Sequence, residues 1–240
     1  MKALIAFKGR QEVKDFYLAR IAAHRAADEI IQGVYWENGK GCAVGCTVHS
    51  NNHEKYESNL GIPIMLAMLQ DRIFEGLPNS AAKNFPGNFL SSIKSGADLS
   101  CVGWKFLYWL LTKSNIGEFN HTSVRDAVRQ CADVLIPLTK GENADTSAAE
   151  SAAESAARTA AWSAARSAAW SAAWSAAESA WSAADSARSA ADSAESAADS
   201  AEFAADSARS ARFAAHKKMA KKLLQLLASA PQTKKPRTKK

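Results

Sequence analysis

Extended apolar stretches are missing from this 240-residue sequence. The main ones, Ile62–Leu69 and Phe106–Leu111, fall well short of the roughly 18 to 20 residues that a membrane-spanning helix needs. Met1–Phe7 is too short for the apolar core of a signal peptide. Cysteine is also scarce, and four residues in a chain of this length do not make a disulfide framework. These absences predict a cytoplasmic protein with free thiols and no transmembrane segment.

Glycine and proline are missing from a large part of the chain. All twelve glycines lie at or before Gly141, and neither residue type occurs between Glu142 and Ala230. Formal charge changes along the same lines, with +1 for residues 1–145, −4 for residues 146–215 and +9 for residues 216–240. Composition therefore divides the chain into an N-terminal domain (1–145), a low-complexity segment (146–215) and a basic C-terminal part (216–240).

The N-terminal domain carries the spacing of several short helices. Apolar residues recur at helical intervals, and glycine or proline marks the ends, over four segments: Gln11–Ile31, Pro63–Gly76, Leu99–Leu111 and Thr122–Ile136. The third has a nearly all-round apolar surface suited to a core. Turns are expected at Glu37–Gly39, Leu77–Asn79 and Phe85–Gly87, with at most a short hairpin within 35–48. The pattern predicts a compact, mainly α-helical domain.

An alanine–serine repeat fills the second part of the chain. Ser or Thr recurs every four residues from Ser147 to Ser179, and from Ser182 the serines follow a heptad. Alanine has the highest helix propensity, so we expect a helical repeat with a narrow alanine face suited to close helix packing, as in a coiled coil. Unbroken, about 70 residues would span roughly 100 Å.

Four tryptophans lie on the first half of this repeat: Trp162, Trp170, Trp174 and Trp181. They need cover, either from the N-terminal domain if the helix folds back or from other chains if the repeat associates; self-association through the repeat is the expected partner interaction. A low-complexity expansion that is merely tolerated is the alternative interpretation. Ice binding is disfavoured because the polar stripe is serine and its spacing changes midway.

The basic C-terminal part has two sections. His216–Leu227 places leucines against lysines and is typical of an amphipathic helix, which Pro231 ends. A disordered cationic tail follows, and it is expected to contact nucleic acid or another acidic partner. Its candidate contact residues are Lys234, Lys235, Arg237, Lys239 and Lys240. An anionic membrane surface and a tail that is only solvated are the alternatives.

One short segment, Gly41–His53, concentrates residues that carry chemistry: Cys42, Cys46, His49 and His53. As one helix, they share a face; as a strand over 42–48 entering a helix, the histidines flank the helix start, with 51–54 as a capping box. For nucleophilic catalysis, Cys46 or Cys42 is the candidate thiolate, His49 or His53 the base and Glu57 or Glu37 the orienting carboxylate.

The same four residues are also the candidate ligands of a metal, with zinc as the expected ion. Their spacing does not match a common zinc finger. The simpler interpretation is structural, with the cysteines as small core residues and the histidines capping or packing.

Several segments together resemble a family of uncharacterised bacterial and phage proteins. They are Tyr35–His49 with its Gly41-Cys-Ala-Val-Gly-Cys46 core, Leu60-Gly-Ile-Pro63, Ile73-Phe-Glu-Gly-Leu-Pro78, the Ser-Ala-Ala repeats and the closing Met219–Leu227. The resemblance covers most of the chain. It implies a bacterial or phage cytoplasmic setting and a repeat of variable copy number, and it implies no activity.

Two functions are left open by the sequence. The leading one is a non-enzymatic helical scaffold that associates through the alanine repeat while its basic tail contacts an acidic partner. The alternative is a Cys/His or metal-dependent hydrolase or transferase with its site within 42–53. Walker, dinucleotide-binding, paired Cys-x2-Cys and Gly-x-Ser-x-Gly motifs are missing from the sequence.

Overall fold

A computed structural model describes residues 4–114, 122–143 and 189–233. Seven helices and one hairpin lie in these ranges: α1 (Gln11–Ala26), β1 (Trp36–Glu37), β2 (Lys40–Gly41), α2 (Ala43–Val48), α3 (Ile64–Gly76), α4 (Asn79–Ser92), α5 (Val102–Lys113), α6 (Thr122–Thr139) and α7 (Ser189–Ala228). A left-handed turn at Ala6–Gly9 precedes α1, and a π-helical turn at Tyr56–Leu60 precedes α3. The prediction of a mainly α-helical fold with one short hairpin is confirmed.

The chain divides into two units, of which the larger contains the core. Its described residues are 4–114, 134–143 and 213–233. In this unit α1 packs on α2 and α4, and α3 packs on α2, α4 and α5. The second unit includes 122–133 and 189–212 among the described residues, and both of these ranges are helical.

The hairpin takes its shape from the turn between its strands. Asn38 and Gly39 have φ values of 50° and 83°. A two-residue turn that matches the right-handed twist of its strands requires positive φ at both central residues. Trp36 lies opposite Gly41 in the antiparallel register. The turn predicted at Glu37–Gly39 is therefore present.

Helix α1 ends earlier than its apolar spacing predicts. The spacing extends to Ile31, but the helix stops at Ala26, and Asp28 has a φ of 58°. The chain then runs beside the hairpin, where Ile31 N donates to Gly41 O (2.9 Å) and Gly41 N donates to Glu29 O (3.0 Å). Pairing with the hairpin replaces the last helical turn, and Ile30 becomes buried there.

Two predicted helix boundaries at prolines are wrong. Phe85–Gly87 is not a turn, because Pro86 lies inside α4, and Pro137 lies inside α6 instead of ending it at Ile136. In α4 the burial of Phe85 and Phe89 favours a continuous helix despite the hydrogen bond that proline removes.

The predicted helices at Pro63 and Leu99 are present with changed limits. Pro63 caps α3 as expected. Helix α5 begins only at Val102, and its buried residues are Val102, Gly103 and Phe106, while the tryptophans on it are half-buried. The nearly all-round apolar surface of this helix is therefore fully buried on one side and half-buried over most of the rest.

The C-terminal helix belongs to the core of the larger unit. Leu223 and Leu227 are fully buried, and Lys218 Nζ donates to Ser114 O. Beyond the helix, Asp98 N donates to Pro231 O (2.8 Å) and Thr233 N to Gly96 O (3.0 Å). Composition separates residues 216–240 from the N-terminal domain, whereas in the structure the amphipathic helix packs against that domain.

Most of the alanine–serine repeat lies outside the described residues, including all four repeat tryptophans. The described portion, from Ser189, is continuous helix through Ala228. The basic tail residues Lys234, Lys235, Arg237, Lys239 and Lys240 also lie outside the described residues. In the part of the chain that is described, no helix combines the length and the apolar character needed to cross a membrane.

Candidate functional site

A cleft of about 920 Å³ lies between one face of α3 and the loop that follows α2. The α3 wall consists of Ile64, Met68, Asp71, Arg72 and Glu75. These positions are three, four or one residue apart, which places them on one side of the helix. The opposite wall is formed by Tyr35 and by the loop residues Ser50, Asn51, Asn52, His53 and Glu54. The cleft volume falls in the usual range for small-molecule sites.

The loop wall owes its conformation to two local features. His49 ends α2 in a left-handed conformation with φ 50°, which turns the chain away from the helix axis. Asn52 Oδ1 then accepts a hydrogen bond from Glu54 N (2.8 Å), while Asn52 N donates to Ser50 Oγ (3.2 Å). This compact turn places the intervening His53 side chain on the cleft side of the loop.

His53 and Asp71 form the central pair of the cleft. His53 Nε2 lies 3.7 Å from Asp71 Oδ2, and both side chains are mostly shielded, with exposed fractions of 20% and 13%. Tyr35 packs edge-on against the His53 ring, with the centroids 5.8 Å apart. An imidazole held beside a shielded carboxylate is the arrangement of a general acid–base pair.

The other side of Asp71 faces a buried polar cluster. Within the described residues, Asp71 Oδ1, the Tyr56 hydroxyl and both amide atoms of Gln70 have no hydrogen-bond partner of regular geometry. Tyr56 and Gln70 are fully buried, and burial raises the pKa of Tyr56. Asp71 therefore lies at the boundary between core and cleft, with one carboxylate oxygen that lacks a regular donor.

Glu75, one turn after Asp71 on α3, is a second carboxylate of the cleft. Gly33 N donates a hydrogen bond to Glu75 Oε2 (2.9 Å). Burial and, to a smaller extent, the Asp71 charge raise the pKa of Glu75. The two carboxylates thus lie close enough for the charge of one to affect the other.

The two candidate cysteines are core residues in the structure. Cys42 caps α2, with Gly45 N donating to its Sγ (3.4 Å), and Cys46 Sγ donates to Gly41 O (3.3 Å). Burial raises the pKa of each thiol to about 12; for Cys42 the neighbouring Asp71 adds to the effect. A thiol in this environment is protonated at neutral pH and is a poor nucleophile.

The segment 42–53 matches neither of the two conformations expected from the sequence. Residues 43–48 form a short helix, not a strand, and this helix ends at His49 and does not continue as one face through His53. The histidines consequently have different partners. His53 contacts Tyr35 and Asp71, whereas His49 contacts the end of α1 and the hairpin.

His49 is part of a hydrogen-bonded histidine pair. Its Nε2 is 2.7 Å from His24 Nε2, and His24 Nδ1 is 2.6 Å from Glu29 Oε2. Because the carboxylate accepts, the proton of neutral His24 lies on Nδ1, and His49 donates to the free Nε2. The His49 ring also stacks on Trp36, with centroids 4.6 Å apart and an interplanar angle of 9°.

The remaining candidate residues do not join the cleft. Glu37 and Glu57 are exposed, the second on the π-helical turn, and neither lines the cleft. Within the described ranges, no group of three or more His, Cys, Asp or Glu side chains is placed to hold one metal ion. The four candidate ligands within 42–53 are thus near one another in sequence but not arranged around one ion.

Most residues of these two sites are not identified by the sequence patterns, among them His24, Glu29, Tyr35, Asp71 and Glu75. The only sequence signal for Asp71 is its position on the same helical face as Met68, Arg72 and Glu75, which are exposed or half-buried. His24 lies 25 residues before His49, and no local pattern connects them.

Comparison of the chain with protein-family models, with curated proteins and with solved structures finds no match. The geometry of the cleft and of the histidine pair is therefore the basis for assigning a function.

Proposed function

We propose that the cleft is the active site of a hydrolase in which His53 is the general base. The observation that carries the proposal is the position of His53 beside the shielded carboxylate of Asp71, within a cleft large enough for a small molecule. Asp71 acts as a positioning residue that orients the imidazole and stabilises its protonated form. The protonated, buried cysteine thiols favour this mechanism over thiolate attack.

The proposed chemistry is attack of water on an ester-type carbonyl. His53 takes a proton from the water as its oxygen bonds to the carbonyl carbon, and it returns the proton to the leaving oxygen as the carbon–oxygen bond breaks. The Arg72 guanidinium and the Asn51 amide line the same cleft and are two donors that could stabilise the developing oxyanion.

The test is a hydrolysis assay of the full chain on a panel of chromogenic esters with neutral, cationic and anionic acyl groups. We expect His53→Gln to lower kcat/KM by about 10²- to 10⁴-fold, which is the usual contribution of a general base. Asp71→Asn is expected to lower kcat with little change in KM, because the imidazolium that forms during the reaction loses its counter-charge.

The matched control is Cys46→Ser, which removes the thiol but leaves the cleft unchanged. Its activity should stay within a few-fold of the parent. Loss of activity in Cys46→Ser with retention in His53→Gln would reverse the assignment in favour of a cysteine nucleophile.

A helical scaffold in the cytoplasm is a second candidate function, supported by the exposure of α7. All residues from Ala205 to Arg212 on this helix are exposed, whereas the helix is part of the core from Ala220 onward. Exposed alanines permit the close approach of a second helix. This candidate includes self-association through the repeat and contact of the basic tail with an acidic partner, such as nucleic acid.

Light scattering on purified full-length chain tests the scaffold. We expect a mass that is a multiple of the 25.7 kDa chain. Ala208→Glu places a charge on the alanine face and should reduce the mass to that of the monomer, while Ser207→Glu, on the serine side of the helix, should not. A monomeric parent chain at micromolar concentration contradicts self-association.

A further inference from the structure

We propose that the ligand of the cleft is a small organic amine that carries one ammonium group on a short aliphatic body. This inference rests on the proposed function of the cleft: it specifies that the ester substrate carries this ammonium group, and the amine is the part of the substrate that the cleft recognises. Three properties of the cleft support it: the charge of its inner wall, the residues that are exposed at its mouth, and, apart from His53 when it is protonated, the lack of a described cation within ion-pair distance of the inner carboxylates.

The inner wall is negatively charged. Asp71 and Glu75 lie one turn apart on the same face of α3, and both are half-buried. A carboxylate that leaves water needs a partner, and an ammonium group between the two would be attracted by both charges.

Apart from His53 when it is protonated, no cation in the described part of the chain lies within ion-pair distance of these carboxylates. Arg72 lines the cleft but is exposed, and among the described side chains no ion pair joins it to a carboxylate. His53 Nε2 lies 3.7 Å from Asp71 Oδ2, which is longer than a hydrogen bond, and Asp71 Oδ1 accepts none of regular geometry from a described residue. Oδ1 is buried on the core side, so Oδ2 of Asp71, beside a neutral His53, and the Glu75 carboxylate are the acceptors that a ligand of the cleft can reach.

Two large apolar side chains of the cleft are exposed to solvent. Tyr35 and Met68 are 56% and 59% exposed, although both are large hydrophobic residues, and both line this cleft. Ile64 lies one turn before Met68 on α3. These side chains would cover the aliphatic part of a bound ligand, and the face of the Tyr35 ring would also attract a nearby cation.

A metal ion is a poorer fit than an organic cation. Described His, Cys, Asp and Glu side chains do not form a group of three around a common point. An ammonium group needs only two or three acceptors, and the apolar side chains at the mouth have no role for a bare ion.

The test is an NMR titration of the full chain labelled at its methionine methyl groups, with Met68 as the reporter. The probes are pentylammonium, pentanol and pentanoate, which share the aliphatic chain and differ in the charge of the head group. We expect a saturable shift of the Met68 signal with pentylammonium, at a Kd at least tenfold lower than for either other probe.

Two variants test the carboxylates. Glu75→Gln should weaken pentylammonium binding about tenfold, because it removes one charge and keeps the side-chain shape. Asp28→Asn is the matched control; Asp28 pairs with Lys83 outside the cleft, and its loss should leave the Kd unchanged. Binding that is equally tight in Glu75→Gln overturns the assigned charge recognition.

The outcomes separate this inference from the proposed function. Tighter binding of pentanoate, or equal binding of all three probes, overturns the amine class, while a loss of ester hydrolysis in His53→Gln would still support the active site. If no probe moves the Met68 signal and hydrolysis is unaffected by His53→Gln, both proposals are wrong.

Discussion

At the scale of single residues, Asp71 shows how a core position and a site position are combined. One carboxylate oxygen lies near His53 in the cleft, and the other is buried without a regular hydrogen bond within the described structure. Neither environment alone identifies a functional group. Together they place a carboxylate with few donors at the wall of a cleft, beside a histidine.

The lowered pKa of His49 predicts that the folded protein loses stability in acid. Burial, then the charges of Arg20 and His24, lower the pKa of His49 in the folded protein. The unfolded chain therefore binds a proton more readily, so the stabilising contribution is complete above about pH 6.5 and is lost as pH falls through the folded pKa. We expect the urea midpoint of the full chain to fall between pH 7 and pH 5.

The variant His49→Asn tests the assignment, because asparagine tolerates the left-handed backbone and does not titrate. Its urea midpoint should fall less over the same pH interval. An equal decrease in parent and variant would show that other groups cause the acid sensitivity.

The close packing around Gly45 predicts that adding one methyl group there strongly lowers the stability of the fold. A Cβ at this position would lie 1.7 Å from the backbone oxygen of Tyr35, and backbone cannot move aside cheaply. We expect Gly45→Ala to cost several kcal/mol or to prevent folding, as overpacking of a rigid site does. The measurement is the free energy of unfolding from urea denaturation.

Gly87→Ala is the matched control in α4. Its Cβ would meet only Ile21 Cγ2, at an ordinary 3.7 Å. Because alanine is the better helix former, this variant should gain about 0.5 to 1 kcal/mol. If both substitutions cost the same, the close approach of α2 to the hairpin is not what selects glycine at position 45.

At the scale of elements, helical spacing located the helices better than it located their ends. Helix α3 begins at the predicted proline cap, since the cap is a local property of the chain. Helix α1 ends early because residues 29–31 pair with the hairpin, and Pro86 is tolerated because Phe85 and Phe89 pack in the core. Both departures depend on contacts between elements, which single-segment patterns do not contain.

The last turns of α7 predict a core-type response to mutation. Leu223 is fully buried, so Leu223→Ala should destabilise the full chain by about 2 to 5 kcal/mol. Gln225, two residues later, is exposed, and Gln225→Ala should change stability by no more than about 0.5 kcal/mol. Equal small effects in urea denaturation would contradict the packing of this helix in the core.

At the scale of the whole molecule, segments from both ends of the described chain meet at one loop. Ala6 N donates to Ala97 O (2.9 Å), and Thr233 N donates to Gly96 O (3.0 Å). Residues 134–143 and 213–233 both belong to the larger unit, so that unit is assembled from chain on both sides of the alanine–serine segment. The N-terminal domain inferred from composition therefore lacks part of its own core.

Because residues 213–233 complete the core of the larger unit, we expect residues 1–145 alone to be unstable. Without 213–233, the surface that covers Leu223 and Leu227 becomes exposed to water. We expect the fragment to bind a hydrophobic dye and to lose cooperative thermal unfolding, and a peptide of residues 213–240 to restore it. A fragment that unfolds at the temperature of the full chain would show that the C-terminal helix is dispensable.

Local patterns were enough to establish the fold class, the short hairpin and most of the helices, because propensity, apolar spacing and turn residues act over a few neighbouring positions. They also identified the segment that contains His53. Packing established which residues form the sites: it separated His49 from His53, buried Cys42 and Cys46, and brought Asp71 to His53. Packing also places the leucines of the basic amphipathic helix in the core. These outcomes depend on contacts between residues distant in sequence, whose burial and charge are set only when the elements pack.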